Sequence, residues 1–457
     1  MRLLSLLFVL SIPFCGITRY GPFGNFSGNL ALYTLFPLAG LLLVRGGFGF
    51  VFLAGPEARF IRICGAVFTL TCVLTVINGA FLSAAGHQVY GADPLAQAWL
   101  KGMAPLFILA VLVVATALAI ELGAARLQCF IYAAFWLTLA YTALQILHGW
   151  GGNRLFEQLW PFLEGARDNF GLSYIERFGR INGPTMEPAE FVKLLLVFFL
   201  PWMLWPAQGP ASGLKVALIL GLAVASQSLL GVVLVAVLIG LYLLGARDHG
   251  LRKILVLTGL CIAGTYAYHM VSAENSDLYA RLLSLEHDPS VLIRYHYNMA
   301  ALDIIAQHAL FGVGWSGELI HFPDRISAVH HLAEVRGDLA TGNALTAKSL
   351  LLRLMMYMGL PLFALLLMGL VQMIWPPGSD PALRALRRTR FTVLMLGLSG
   401  LLDGGIVTSF FLWCAVGFCV GAQWRARVED PAYAEALPGP PDVSTDRPRM
   451  TQTSAAS

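Results

Sequence analysis

Long apolar stretches alternate with short polar connections along most of this chain. A helix needs about 20 apolar residues to cross a bilayer, and many of the stretches approach that length. About twelve of them can be counted, at residues 3–18, 28–44, 60–82, 97–119, 127–147, 188–205, 214–226, 229–244, 254–271, 347–375, 392–402 and 407–422. The pattern predicts an all-α, polytopic transmembrane helical bundle that occupies residues 1–427.

Two longer polar segments, 150–186 and 272–345, interrupt the apolar pattern. Both carry arginine but no lysine. The second contains a predicted amphipathic helix at 291–308, which would lie on the membrane or cap the bundle. Its apolar stripe follows helical spacing and comprises Leu292, Tyr295, Met299, Leu302 and Ala306.

Composition and charge placement support a membrane protein and suggest its orientation. Apolar residues make up 57% of the chain and charged residues 12%, about half the charged fraction of a soluble domain. Basic residues concentrate in short connections, which favours a cytoplasmic location for them and for both termini. The two long segments then face outward, and residues 428–457 form a disordered cytoplasmic tail. The basic residues are Arg59, Arg62, Arg247, Arg252, Lys253, Arg384, Arg387, Arg388, Arg390, Arg425 and Arg427.

The first outward segment ends in a group of residues suited to binding an anion. Pro188 is typical of the first position of a helix, and Glu187 precedes it at the positive helix end. Arg180 lies just upstream, and a guanidinium group matches the geometry of a phosphate. One interpretation is a charged helix start with an arginine that anchors the loop. The functional interpretation is an anion-binding Arg180 beside a catalytic carboxylate, Glu187.

Further basic residues follow in and after the second segment. Arg294 lies on the predicted amphipathic helix, and Arg281 precedes it. Lys348 and Arg353 open the next apolar stretch. They would either extend to the membrane surface or face the same cavity as the arginines. Arg281, Lys348 and Arg353 are candidates for substrate binding.

Most of the histidines lie in the second segment, but their spacing does not indicate a metal site. It lacks the pairs of histidines that zinc sites place on one helix. A single histidine as general base is more plausible, since its usual pKa is near neutrality. We include His330 and His331 as substrate-binding candidates. The chain also lacks nucleotide-binding glycine motifs, so we expect no nucleotide cofactor. We likewise predict no metal, no other cofactor and no nucleic-acid partner.

Several loose motifs together resemble the O-antigen polymerase and O-antigen ligase superfamily of bacterial membrane glycosyltransferases. The resemblance to this superfamily covers roughly residues 180–366. Outside this range, the chain resembles the superfamily only in having apolar spans. The motifs are, in order, Arg180-x-x-Gly183-x-x-x-Glu187-Pro188, Ser226-Gln227-Ser228-Leu229-Leu230-Gly231, Arg294 leading to Phe311-Gly312-Val313-Gly314, and Leu350-x-x-Arg353 leading to Gly359-Leu360-Pro361.

The resemblance implies an all-helical enzyme that uses glycans carried on undecaprenyl pyrophosphate, without a metal or nucleotide sugar. An acceptor hydroxyl attacks the anomeric carbon, and the lipid pyrophosphate leaves. By motif position, the resemblance implies that Arg180 and Arg294 are catalytic residues that stabilise the pyrophosphate, with Arg281 as a further candidate. Glu187 or a histidine of the second segment would accept the proton of the acceptor. The implied location is the bacterial inner membrane, with the active site facing the periplasm. The implied partners are the lipid-linked glycan, the lipid bilayer, a flippase and a chain-length regulator.

Three functions remain open from the sequence. A polymerase would join lipid-linked repeat units into O-antigen, capsule or exopolysaccharide. A ligase would transfer the glycan to lipid A–core, but family ligases carry a His-Asn or similar pair where this chain has Lys348-Ser349. This difference favours the polymerase. The third is a transporter of lipid-linked glycans or organic anions, which would usually place paired charges inside the membrane.

Overall fold

A computed structural model describes residues 1–15, 30–87, 93–151, 180–185, 187–245, 289–315, 317–341, 345–375, 383–403 and 409–429. Throughout these ranges the regular structure is helical, with no strand. Its α-helices are α1 Arg2–Ser11, α2 Leu32–Val44, α3 Pro56–Ala84, α4 Pro94–Gly102, α5 Ala104–Leu122, α6 Ala124–Gly151, α7 Pro188–Lys193, α8 Leu200–Leu204, α9 Gly213–Ala225, α10 Leu229–Gly245, α11 Pro289–Gln307, α12 Glu318–Arg325, α13 Ala333–Thr341, α14 Leu350–Ile374, α15 Leu383–Leu402 and α16 Phe410–Val428.

The prediction of an all-helical chain with membrane-length helices is confirmed in this coarse form. Four helical stretches are long and apolar enough to cross a membrane, namely Pro56–Ala84, Pro94–Leu122, Ala124–Leu147 and Leu350–Ile374. Shorter apolar helices occur at other predicted spans, and the apolar run 254–271 lies outside the described residues. The count of twelve spans and the outward loops therefore stay predictions.

Polar contacts bring several helix termini together at what we call the arginine-rich end of the bundle. Arg427, near the end of α16, pairs with Glu57 at the start of α3, at 3.2 Å between Nη2 and Oε1. Arg390 of α15 donates from Nε to the carbonyl of Ile374, the last residue of α14, at 2.7 Å. The helices α3 and α15 therefore begin at this end, whereas α14 and α16 finish there.

At the other end, the turn 311–315 fastens α11 to the bundle. The amide of Val313 donates to the Met356 carbonyl of α14 at 2.9 Å. Asn78 of α3 donates from Nδ2 to the carbonyl of Val313 at 2.6 Å. Gly312 lies so close to α14 that an added Cβ would stand 2.6 Å from the Met356 oxygen. The turn 311–315 therefore packs closely between α3 and α14, two of the membrane-length helices.

The helix predicted at 291–308 is present as α11, and the sequence left open whether its apolar stripe lies on the membrane or caps the bundle. Tyr295 and Met299, from the predicted stripe, are exposed. A second apolar row faces the bundle instead and comprises Ile293, Tyr297, Ala300, Ala301 and Ile304. Both rows fit helical spacing, so the period alone could not decide which one packs inward.

We expect Gly312→Ala to lower the melting temperature of the purified protein more than Gly209→Ala does. Both glycines have positive φ values, of 65° and 78°, so both substitutions strain the backbone by about 1–2 kcal/mol. Only Gly312 also faces a backbone oxygen at 2.6 Å, whereas Gly209 has nothing within 4 Å. This overlap adds about 1–3 kcal/mol. Equal losses for the two variants would contradict the tight packing of the turn.

Candidate functional site

Five charged residues gather at the end of the bundle opposite the arginine-rich end. We call them the charged cluster: Glu187, Lys193, Arg294, Lys348 and Asp403. They come from the start and end of α7, the start of α11, the residues before α14, and the residue after α15. Segments far apart in the sequence therefore meet at one place, where helix termini leave backbone groups exposed.

Asp403 joins two cations of the charged cluster. Its Oδ2 lies 2.5 Å from Nζ of Lys193, and its Oδ1 lies 3.4 Å from Nη1 of Arg294. The exposed fractions of the side chains are 3% for Lys193, 13% for Asp403 and 41% for Arg294. A buried ammonium group requires such a partner, because transferring an isolated charge out of water is very costly. Asp403 therefore holds a buried cation on one side and a half-open cation on the other.

The backbone around Lys193 departs from regular α-helix. Lys193 ends α7, and the π-helix Leu194–Phe199 follows it immediately. Pro201 then lies in the first turn of α8 and cannot donate a backbone hydrogen bond. A π-helical turn changes the direction in which neighbouring side chains point, and such turns are frequent at functional sites.

Most of the hydrogen-bonding capacity of Arg294 is not used by its described contacts. A guanidinium group has five N–H donors, and in the described part of the chain Arg294 makes a single ion pair. Lys348 has two loose partners, because its Nζ lies 3.9 Å from Oδ2 of Asp338 and 4.8 Å from the ring centre of Tyr297. The backbone amide of Lys348 donates to Oδ1 of Asn298 at 2.9 Å, which fixes it against α11.

Glu187 shares the electrostatic environment of the charged cluster. It immediately precedes α7 and is exposed as a whole residue, but desolvation of its carboxyl, followed by the charge of Asp403, raises the pKa of that group. The positive charges of Lys193, Arg294 and Lys348 act in the opposite direction. Burial also lowers the pKa of Lys348, against the effect of Asp338. The structure thus places three predicted site residues, Glu187, Arg294 and Lys348, within electrostatic reach of one another.

The segment that contains Arg180 is held against the late part of α6. Gln145 donates from Nε2 to Oδ1 of Asn182 at 2.5 Å and accepts from the amide of Gly183 at 2.9 Å. Thr185 donates to the carbonyl of Asn182 at 2.8 Å, which closes a tight turn before Glu187. Arg180 is partly buried at the head of this turn. Its participation in the charged cluster stays a prediction.

The remaining predicted site residues have other contacts. Arg353 donates from Nη2 to the carbonyl of Ala347 at 2.8 Å and so braces the start of α14. His330 contacts the carbonyl of Pro323 through Nε2 at 3.1 Å, and His331 is exposed. In their described contacts, neither histidine touches the charged cluster. Arg281 lies outside the described residues.

Lys193 and Asp403 are the functional candidates that sequence reasoning missed. Asp403 lies between the last two predicted spans, 392–402 and 407–422, and Lys193 lies within the apolar stretch 188–205. A signal was available, because ionisable residues inside apolar spans are rare and usually mark a functional site. Within the described ranges, there is no group of three or more potential metal ligands.

The chain matches no protein-family model and no curated protein. The resemblance to the polymerase and ligase superfamily therefore rests on the short motifs. What the structure adds is the spatial proximity of residues from three of the motif regions, around Glu187, Arg294 and the start of α14.

We expect Asp403→Asn to destabilise the protein by about 3–5 kcal/mol, because it leaves Lys193 buried without its counter-charge. The double variant Lys193→Met/Asp403→Asn should recover most of this loss, since neither charge then remains. Thermal unfolding of the detergent-purified protein measures both effects. Asp303→Asn is the control, because Asp303 pairs with Arg325 at the surface and its loss should matter little.

A double variant that is no more stable than Asp403→Asn would contradict this interpretation of the pair. That result would show that Asp403 stabilises the fold through a partner other than Lys193.

Proposed function

We propose that this protein is a membrane glycosyltransferase of the polysaccharide polymerase type. It would transfer a glycan from undecaprenyl pyrophosphate to a hydroxyl of another lipid-linked glycan. The observation that carries the proposal is the charged cluster, in which a half-exposed Arg294 and a loosely paired Lys348 lie beside the buried pair Lys193–Asp403. This arrangement suits a diphosphate, which carries several charges close together.

The orientation follows from the distribution of basic residues. Basic residues favour the cytoplasmic side, and Arg388, Arg390, Arg425 and Arg427 lie at or near the arginine-rich end. In this orientation the charged cluster faces the periplasm across the bacterial inner membrane. A lipid-linked donor delivered by a flippase would be available there, and a chain-length regulator could act on the same side.

The proposed reaction needs an electrophilic sugar and a stabilised leaving group. The acceptor oxygen bonds to the anomeric carbon while the bond from that carbon to the pyrophosphate oxygen breaks. The bonding electrons remain on the pyrophosphate, and Arg294 and Lys348 stabilise the developing charge, with Arg180 as a predicted third group. Asp403 holds Arg294 and Lys193 in place before the substrate arrives. The acceptor proton passes to a base, for which Glu187 is the candidate from sequence.

The donor is already activated in this scheme, so the protein needs no nucleotide. The lipid tail would lie in the bilayer while the diphosphate reaches the cluster. Two residues immediately before α14 favour the polymerase function over the ligase function. Lys348 and Ser349 occupy the place of the ligases' His-Asn pair, and the nearby carboxylate of Asp338 favours the charged form of Lys348, which would bind an anion.

A transporter is the second candidate, and one observation favours it. The pair Lys193–Asp403 is buried at the edge of the helical bundle, and buried ion pairs mark ion or substrate pathways in many transporters. Liposomes that contain the purified protein distinguish the two functions. Movement of a lipid-linked glycan across the bilayer without any new glycosidic bond would support the transporter and contradict the glycosyltransferase.

We expect Arg294→Ala and Arg180→Ala to abolish chain lengthening while membrane insertion stays normal. Loss of one guanidinium that stabilises a leaving group should slow transfer by about 100- to 1000-fold. Arg325→Ala is the matched control, because Arg325 pairs with Asp303 at the surface of α12. Polymer length in cells, read on gels, measures the effect. Long polymer in both arginine variants would contradict the proposal. If the polymer in these variants stayed on its lipid carrier, the result would indicate a ligase.

A further inference from the structure

A buried carboxyl outside the charged cluster has one oxygen without a hydrogen-bond partner. Glu318 begins α12, and its side chain is 5% exposed. Its Oε1 accepts a hydrogen bond from the Tyr357 hydroxyl at 3.3 Å, whereas its Oε2 is buried with no hydrogen-bond partner in the described structure. Leaving a buried polar atom unsatisfied is costly, so a functional reason should be sought.

The Tyr357 hydroxyl connects Glu318 to the residues before α14. Its oxygen lies 3.0 Å from Oγ1 of Thr346, and the Trp315 ring packs against the Tyr357 ring at 4.6 Å. Thr346 is partly exposed and lies two positions before Lys348 of the charged cluster. A continuous line of hydroxyl groups therefore runs from the region of the cluster to the buried carboxyl.

The charges that face Glu318 come from two helices. Lys101 lies in the last turn of α4, and Arg353 lies one turn before Tyr357 on α14. Both favour the ionised carboxylate, but burial outweighs them and raises the pKa of Glu318 to about 7. Such a carboxyl exchanges a proton readily near neutral pH, which suits a group that accepts and releases protons.

We propose that Glu318 receives the proton of the acceptor hydroxyl through Tyr357 and Thr346. This inference rests on the proposed glycosyl transfer. As the acceptor oxygen bonds to the anomeric carbon, its proton moves to Oγ1 of Thr346. The Thr346 proton moves to the Tyr357 oxygen, and the Tyr357 proton moves to Oε1 of Glu318. The electrons of the broken sugar–phosphate bond leave with the pyrophosphate, so charge and atoms balance.

This route has an electrostatic advantage over Glu187. Glu187 lies among the cations that would bind the diphosphate, and a carboxylate there repels the leaving group. Glu318 is surrounded by a separate set of charges, so it can ionise without that repulsion. Thr346 would be the catalytic residue that touches the acceptor, whereas Tyr357 and Glu318 act through it.

The test is the pH dependence of glycan transfer by the full-length protein in liposomes, with an undecaprenyl-pyrophosphate-linked oligosaccharide as donor and acceptor. Glu318 must be deprotonated to accept a proton, so the wild-type rate should rise with pH and level off above a midpoint near 7. Glu318→Gln should lower the rate by about 100-fold and remove this rise. Tyr357→Phe and Thr346→Val, which keep the side-chain shape, should do the same. Glu318→Asp should restore part of the rate.

Two controls separate the relay from other effects. Asp324→Asn, at an exposed acid of the same helix, should leave the rate and the pH profile unchanged. The infrared carbonyl band of a protonated carboxylic acid gives a readout that needs no activity. A component of this band should titrate near pH 7 in the wild type and be missing in Glu318→Gln.

The possible failures are distinguishable. If the wild type transfers glycan and Glu318→Gln keeps its rate and pH profile, the relay is wrong and the proposed function stands. A pH rise that disappears in Glu187→Gln but persists in Glu318→Gln would assign the base to Glu187 instead. No transfer by the wild type in this assay would overturn both the proposed function and the role of the relay.

Discussion

The buried ion pair between Lys193 and Asp403 is the interaction on which the candidate site depends. It connects the end of α7 to the end of α15, and Asp403 also reaches Arg294 at the start of α11. Burying an ammonium group that is 3% exposed is costly without a carboxylate partner. The pair therefore brings three distant segments together. Arg294 lies at the same end of the bundle, with hydrogen-bond donors that its ion pair with Asp403 does not use.

The rest of the architecture serves to position α11 and α14 around that pair. The turn 311–315 fits between α3 and α14 because glycine lies at its closest approach, Gly312. The same turn ends at Trp315, which packs on Tyr357, and α12 then begins with Glu318. Part of the charged cluster and the hydroxyl groups that lead to the buried carboxyl of Glu318 thus lie around the first turns of α14. In the proposed reaction, this proximity would allow the pyrophosphate to leave while the proton of the acceptor hydroxyl moves towards Glu318.

Sequence patterns could predict the helices but not how they meet. Apolar run lengths located the membrane-length helices, because a bilayer imposes a minimum length on each span. The inward face of α11 could not be predicted, because two apolar rows on this helix fit helical spacing and only tertiary packing selects between them. Glu187, Arg294 and Lys348 were found from charge and motif. Lys193 and Asp403 were missed because their role exists only once two helix ends are brought together.

The most direct test of the central claim is to locate the diphosphate itself. The full-length protein would be imaged by cryo-electron microscopy in lipid nanodiscs that contain undecaprenyl pyrophosphate. We predict density for the diphosphate within hydrogen-bonding distance of Arg294 and Lys348, at the end opposite Arg427. Diphosphate bound instead at the arginine-rich end, with the charged cluster occupied only by its own ion pairs, would contradict the account.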